Sequence, residues 1–250
     1  MPFCKFCWII ALIVAAQLMQ GAGSAQDANL LTRQEKDEGW RLLFNGKDLR
    51  GWHSYLEMAP GDDWHASNDT IVLTKKPSDQ FAKYADLVTD DEYENFDLKL
   101  EWKAAPCIDS GVMFHVHESP EYRDTYMSGP EIQIADLACT EPDSRVLKER
   151  SGDVFDLISD DIEWVRAAGE WNQFEIIADR GHLLLFQNGH KVIDTVLWGR
   201  QWDDLVAHSK FTTMPHFGTF RRGHISLQGA ENKGEAETKI AFRNIKIKVL

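Results

Sequence analysis

The chain has 250 residues, with 40 acidic against 27 basic side chains and a formal net charge of −13. No basic stripe for nucleic acid or an anionic bilayer can be drawn from such a balance, so neither partner is expected. Acidity suits an exported protein acting on neutral substrates.

The first 25 residues read as a signal peptide. Lys5 supplies the positive start, and Phe6 to Leu18 is an apolar run too short to span a bilayer comfortably. Gly23-Ser24-Ala25 offers the small residues a signal peptidase needs. No cysteine follows that site, which argues against a lipoprotein; an uncleaved anchor is the alternative. The protein is expected in the periplasm or outside the cell, free of the membrane after cleavage.

Residues 26–38 are polar and read as a flexible leader, after which residues 39–250 read as one domain. Gly39 to Phe44 opens it as a strand, and Asn45-Gly46-Lys47-Asp48 is a turn signal. Trp64 and Ile71-Val72-Leu73 mark two short strands, whereas Phe81 to Thr89 is ambiguous. Phe96 to Lys103 alternates, with Leu98, Leu100 and Trp102 inward and Lys99, Glu101 and Lys103 outward. Trp171 to Ala178 is another strand. Leu183 to Phe186 and Lys191 to Thr195 flank Asn188-Gly189, whose positive-φ preference marks a hairpin. Trp202 to Phe211 fits one short helix, and Ile225 to Gln228 and Ile240 to Val249 close the series. Ten or more short strands with little helix predict an all-β, two-sheet jelly-roll sandwich. The stretches at 118–129, 140–151 and 197–222 are long for a sandwich, and long loops on a rigid sheet commonly wall a binding site.

Two further strands carry the chemistry. Over Ile108 to His117, alternation puts Val112, Phe114 and Val116 on one face and Met113, His115 and His117 on the other. Over Pro130 to Asp136, Ile132 and Ile134 take the apolar face and Glu131 and Gln133 the polar one. Imidazoles, a carboxylate and an amide on the face away from the core read as the floor of a polar ligand site; a solvated face is the bland alternative. Cys107 precedes the first of these strands and Cys139 follows the second. If the strands pair antiparallel a disulfide is geometrically possible, with two free buried thiols as the alternative.

Several motifs in order carry a resemblance. Gly39-Trp40-Arg41-Leu42-Leu43-Phe44-Asn45-Gly46-Lys47-Asp48-Leu49-Arg50-Gly51-Trp52 opens it and Phe242-Arg243-Asn244-Ile245-Lys246-Ile247-Lys248 ends it. Between them stand Phe96 to Trp102, Ser110 to Phe114, Glu131 to Asp136, Trp171 to Ile176 and Ile225 to Gln228. The order resembles the 3-keto-disaccharide hydrolase family (DUF1080) over residues 39–250. The resemblance implies a concanavalin A-like jelly roll of the lectin and glucanase type, commonly exported, acting on glycosides whose sugar is oxidised to a ketone at carbon 3. The chain departs from the family where Gly229-Ala230-Glu231-Asn232 replaces the usual Asp-His-Gly, where His115 replaces a common Arg, and where Phe155 replaces a Tyr.

A 3-keto group acidifies the hydrogen on carbon 2, so a base can form an enolate that expels the aglycone from carbon 1; water then adds back. That route needs a base, an electrophile for the enolate oxygen and an acid for the leaving group, unlike two-carboxylate glycosidases. Glu131 is the first choice for base or metal ligand. His115 or His117 would polarise the ketone or protonate the leaving oxygen. Gln133 and Gln228 would bond sugar hydroxyls, Glu101 and Lys103 would orient these groups, and Asp109 and Ser110 would contact sugar. Asp136 has the opposite parity to Glu131 and divides evenly between site and structure. His115, His117 and Glu131 together could ligate a divalent metal, although two His at i and i+2 recur by chance. There is no dinucleotide or phosphate-loop motif and no Gly-x-Ser-x-Gly elbow. The expected partner is a saccharide or glycoside, cleaved by elimination and hydration. A non-catalytic, lectin-like carbohydrate-binding domain is the alternative.

Overall fold

The computed structural model describes residues 28–75, 86–139, 148–160, 162–234 and 237–250, so the signal segment lies outside the described residues. In chain order the strands are β1 (Arg41–Leu42), β2 (Trp52–Ser54), β3 (Trp64–Ser67), β4 (Thr70–Lys75), β5 (Leu87–Thr89), β6 (Phe96–Ala104) and β7 (Ile108–Val116). They continue with β8 (Glu131–Ala135), β9 (Asn172–Asp179), β10 (His182–Gln187), β11 (His190–Val196), β12 (His224–Leu227), β13 (Glu231–Asn232) and β14 (Thr238–Val249). Helix α1 spans Arg33–Asp37 and α2 spans Arg200–Ala207.

Eight strands form one antiparallel sheet, in the order β11-β10-β9-β6-β14-β4-β3 with β1 beside β14. Six form the other, in the order β13-β7-β12-β5-β2 with β8 beside β7. The sequence expectation of a two-sheet all-β sandwich therefore holds. Strict alternation in β6 buries Phe96, Leu98, Leu100 and Trp102 against Val112, Phe114, Ile132, Ile134 and Leu227 of the facing sheet. Burial of that many large apolar side chains, each stabilising by about 1.5–3 kcal/mol, makes the space between the sheets the main stabilising layer.

Three local expectations need correction. Residues 28–38 are not a loose leader. Thr32 caps α1 in a reciprocal capping box with Glu35, which ties up helix-end donors that would otherwise face water. Asn29 exchanges hydrogen bonds with Asn244 of β14 at 2.6 and 2.9 Å. The opening strand shrinks to Arg41–Leu42, and the expected helix stops at Ala207, followed by a 3-10 turn over Lys210–Thr213. Trp171, just before β9, is half-buried beneath the Arg243 guanidinium, 4.0 Å from its ring.

The largest correction concerns β7. Met113 pairs with Ser226 but Val116 pairs with His224, so three steps on β7 face two on β12. The extra residue is a β-bulge, which bends the strand and re-aims its side chains. His115 absorbs it at φ 53°. The alternation expected through Val116 breaks there: Val116 joins Met113, Val88 and Tyr55 in a small cluster outside the main core.

Candidate active site

The outer face of the six-stranded sheet carries the polar groups. In the antiparallel β7–β8 pair Asp109 stands opposite Ala135, Gly111 opposite Gln133, and Met113 opposite Glu131. Directly opposed residues share a face, so Asp109, Gly111, Glu131 and Gln133 form one patch. β12 borders it, and the Gln228 amide donates to the Gly111 carbonyl at 2.9 Å. Gln228 has the parity of Ser226, which faces Met113, and its side chain is half-buried at the patch edge.

Glu131 lies across Gly111, filling the volume a Cβ would take. Its carboxyl is buried and accepts no hydrogen bond from the described residues. Burial pushes its pKa well up, the Asp109 charge adds to this, and Lys210 opposes it. Gln133 donates through Nε2 to Asp109 Oδ1 at 2.9 Å, while its buried Oε1 has no partner among the described residues. Asp109 is held on its other side by Lys233 Nζ at 2.7 Å. A buried carboxyl and a buried amide oxygen thus share one floor, the amide oxygen without a partner among the described residues. In a dry setting such groups cost free energy unless something completes them.

Segments after β8 wall this floor. Val154 bridges Ile132, and the Phe155 amide donates to the Glu131 carbonyl at 3.0 Å. Asp156 accepts from the Lys210 amide at 2.7 Å, which brings the Lys210 side chain over Phe155 and within electrostatic reach of Glu131. Lys210 is the cation that the sequence reading missed. Its only signal was a place in the middle of the long 197–222 stretch.

The other sequence candidates separate. His115 turns to the core side: its ring neighbours Phe96, Phe114 and Trp198, and Nε2 donates to the Glu94 carbonyl at 2.8 Å. Burial lowers its pKa to about 4, so the ring is neutral. His117 lies past the bulge, stacked on Phe220 at 4.2 Å and packed against Tyr122. The ligand set His115, His117 and Glu131 therefore does not converge, and no trio of His, Cys, Asp or Glu among the described residues is placed to hold a metal ion.

Glu101 and Lys103 project from the outer face of the eight-stranded sheet, across the core from Glu131. There Glu101 accepts from Arg243 Nε at 2.7 Å and Asn244 Nδ2 at 2.8 Å, and Lys103 covers Trp171. Ser110 has core parity and donates to the Gln228 carbonyl at 3.0 Å, so it fixes the Gln228 backbone from behind. Asp136 accepts from the Cys107 amide at 2.8 Å and the Ala138 amide at 3.2 Å, a structural acceptor at the strand end. Cys107 and Cys139 are disulfide-bonded, with Cα atoms 5.2 Å apart, which clamps the start of β7 to the end of β8.

Residues 39–248 match the family described as the 3-keto-alpha-glucoside-1,2-lyase-like domain. A curated relative, the 3-keto-disaccharide hydrolase of Bacteroides thetaiotaomicron, is 25% identical over 98% of this chain and 96% of its own length. Two crystal structures from Parabacteroides distasonis, each named as a candidate glycosyl hydrolase, are similar throughout. One is 27% identical with a TM-score of 0.79, covering 89% of this chain and 99% of the other. The second is 26% identical with a TM-score of 0.62, covering 84% and 99%.

Proposed function

The chain belongs to the 3-keto-alpha-glucoside-1,2-lyase-like domain family, and from that premise we propose that it is an exported enzyme cleaving 3-keto-glycosides by elimination and hydration. The observation that carries this reading is the buried Glu131 carboxyl lying over Gly111 beside Gln133, whose Oε1 has no partner among the described residues.

Glu131 is the base. A carboxyl whose acid form is favoured by burial is a stronger base once ionised than an exposed one. It takes the proton from carbon 2, and the electron pair of that C–H bond passes into an enolate towards the carbon 3 oxygen. The Lys210 ammonium, on the same side as Glu131, stabilises that oxygen and donates to the departing oxygen as the bond at carbon 1 breaks. The product is an enone with a carbon 1–carbon 2 double bond. Water then adds its hydroxyl to carbon 1 and its proton to carbon 2. Gln133 Oε1 and the Gln228 side chain accept or donate to sugar hydroxyls, and Asp109, pinned by Lys233, fixes the Gln133 amide.

The test offers matched 3-keto-glucosides and plain glucosides and follows aglycone release. Release from the keto substrate alone supports the reading. Saturable binding of either sugar with no turnover supports the lectin-like alternative, which the Gly229-Ala230-Glu231-Asn232 departure beside Gln228 favours.

A further inference from the structure

We propose that Asp86 is a positioning residue of this site: it ties the 118–129 loop and the Gly229 turn to the floor, and its charge acts on the Glu131 carboxyl. The proposal rests on the reading that Glu131 meets the substrate.

Asp86 immediately precedes β5 and is buried. Its Oδ1 accepts from the Gly229 amide at 2.7 Å, and its Oδ2 accepts from Thr125 Oγ1. Thr125 Oγ1 also lies 3.0 Å from Met113 Sδ, and Met113 is the β7 residue opposite Glu131. One carboxylate thus joins three pieces beside the polar patch: the start of β5, the loop over β7, and the turn after Gln228. None of these contacts is needed to fill the apolar core, which lies on the other face of the sheet.

The charged and titratable groups around Asp86 come from every neighbouring element. Lys75 at the end of β4 favours its charge, and Asp124 in the loop opposes it. Tyr55 of β2 and Tyr126 of the loop both feel its field. Glu131 of β8 feels it as well, in the sense that favours the protonated carboxyl. Burial drives Asp86 itself up to about 6. An ionised Asp86 therefore holds the Glu131 proton more tightly.

Carboxyl-carbon NMR titration of the whole protein tests this directly. In Asp86→Asn, which preserves an acceptor for Gly229 and a group able to meet Thr125, the Glu131 midpoint should fall by about half a pH unit or more. Thr125→Val should raise the Asp86 midpoint, because it removes a bond to the ionised form. If the enzyme turns over a 3-keto-glucoside, the rising limb of its kcat/KM profile should move to lower pH in Asp86→Asn. A Glu131 midpoint unmoved in Asp86→Asn would overturn the proposal, and a mere drop in melting temperature would do so too. If Asp86→Asn does not fold, Thr125→Val decides, and an Asp86 midpoint that fails to rise overturns the proposal. A protein that releases no aglycone but shows both shifts would refute the enzymatic reading and leave the Asp86–Glu131 coupling standing.

Discussion

Glu131 and Gly111 occupy each other's space: a Cβ built on Gly111 would stand 2.2 Å from Glu131 Oε1, 2.7 Å from its Cγ and 2.8 Å from its Cδ. The carboxyl takes this place only because Gly111, its diagonal neighbour across the β7–β8 pair, has no side chain. The clash is with a side chain that can rotate, not with backbone. Gly111→Ala should therefore fold with a loss of only about 1–2 kcal/mol, within the usual range for overpacking. A displacement of about 1 Å at the reacting group can cost on the order of 10²-fold. Steady-state kinetics beside a thermal melt should show that split; a variant with full kcat/KM would mean the carboxyl position is irrelevant.

Glu131 should also make the fold pay for its function. Its acid form is favoured in the folded protein, above the ordinary value of 4.5. Below that value both folded and unfolded states are protonated and no penalty arises. As pH rises past it, the unfolded chain releases the proton first, and the fold loses about 1.4 kcal/mol per unit of upward shift. Glu131→Gln should thus be inactive yet more stable than the parent at pH 7, with the two melting curves converging near pH 4. Equal stability of the two proteins across that range would show that the carboxyl is not strained by burial.

The disulfide closes a 32-residue separation between Cys107 and Cys139. Chain-entropy arguments for a loop of that length give roughly 3–4 kcal/mol. Its effect should also reach the site, because Cys107 accepts from the Lys233 amide at 3.0 Å and Lys233 pins Asp109. Replacing both cysteines by Ser should lower the denaturation midpoint and raise KM more than it lowers kcat. Unchanged KM would confine the bridge to stability.

The sandwich was readable because alternation in β6 and β9 is uninterrupted over eight or more residues each. Glu131, Gln133, Asp109 and Gln228 were readable for the same reason: parity in β7 up to Met113 and in β8 is regular. Glu101 and Lys103 were misplaced because parity says which side of a sheet a residue takes, not which of two sheets carries the site. Asp86 was invisible because it sits just outside a strand, and Lys210 because it lies in a 3-10 turn between β11 and β12; strand periodicity has nothing to say at either place. His115 failed at a bulge: one inserted residue inverts every later side chain on the strand, and nothing in Val112 to His117 announces it.

His115 offers a clean check of that correction. Its folded form is held neutral, with a pKa near 4 against the ordinary 6.5. As pH falls below 6.5 the unfolded chain takes up a proton that the fold refuses, so stability declines towards pH 4 by roughly 3 kcal/mol in all. His115→Gln retains a donor for the Glu94 carbonyl but has nothing to titrate. Its stability should be flatter between pH 6.5 and 4, and its kcat/KM on a 3-keto-glucoside should stay within about twofold of the parent, as befits a group on the core side of the sheet. A hundredfold fall in kcat/KM with the acid slope unchanged would return the imidazole to the pocket and undo the bulge as the reason for its absence.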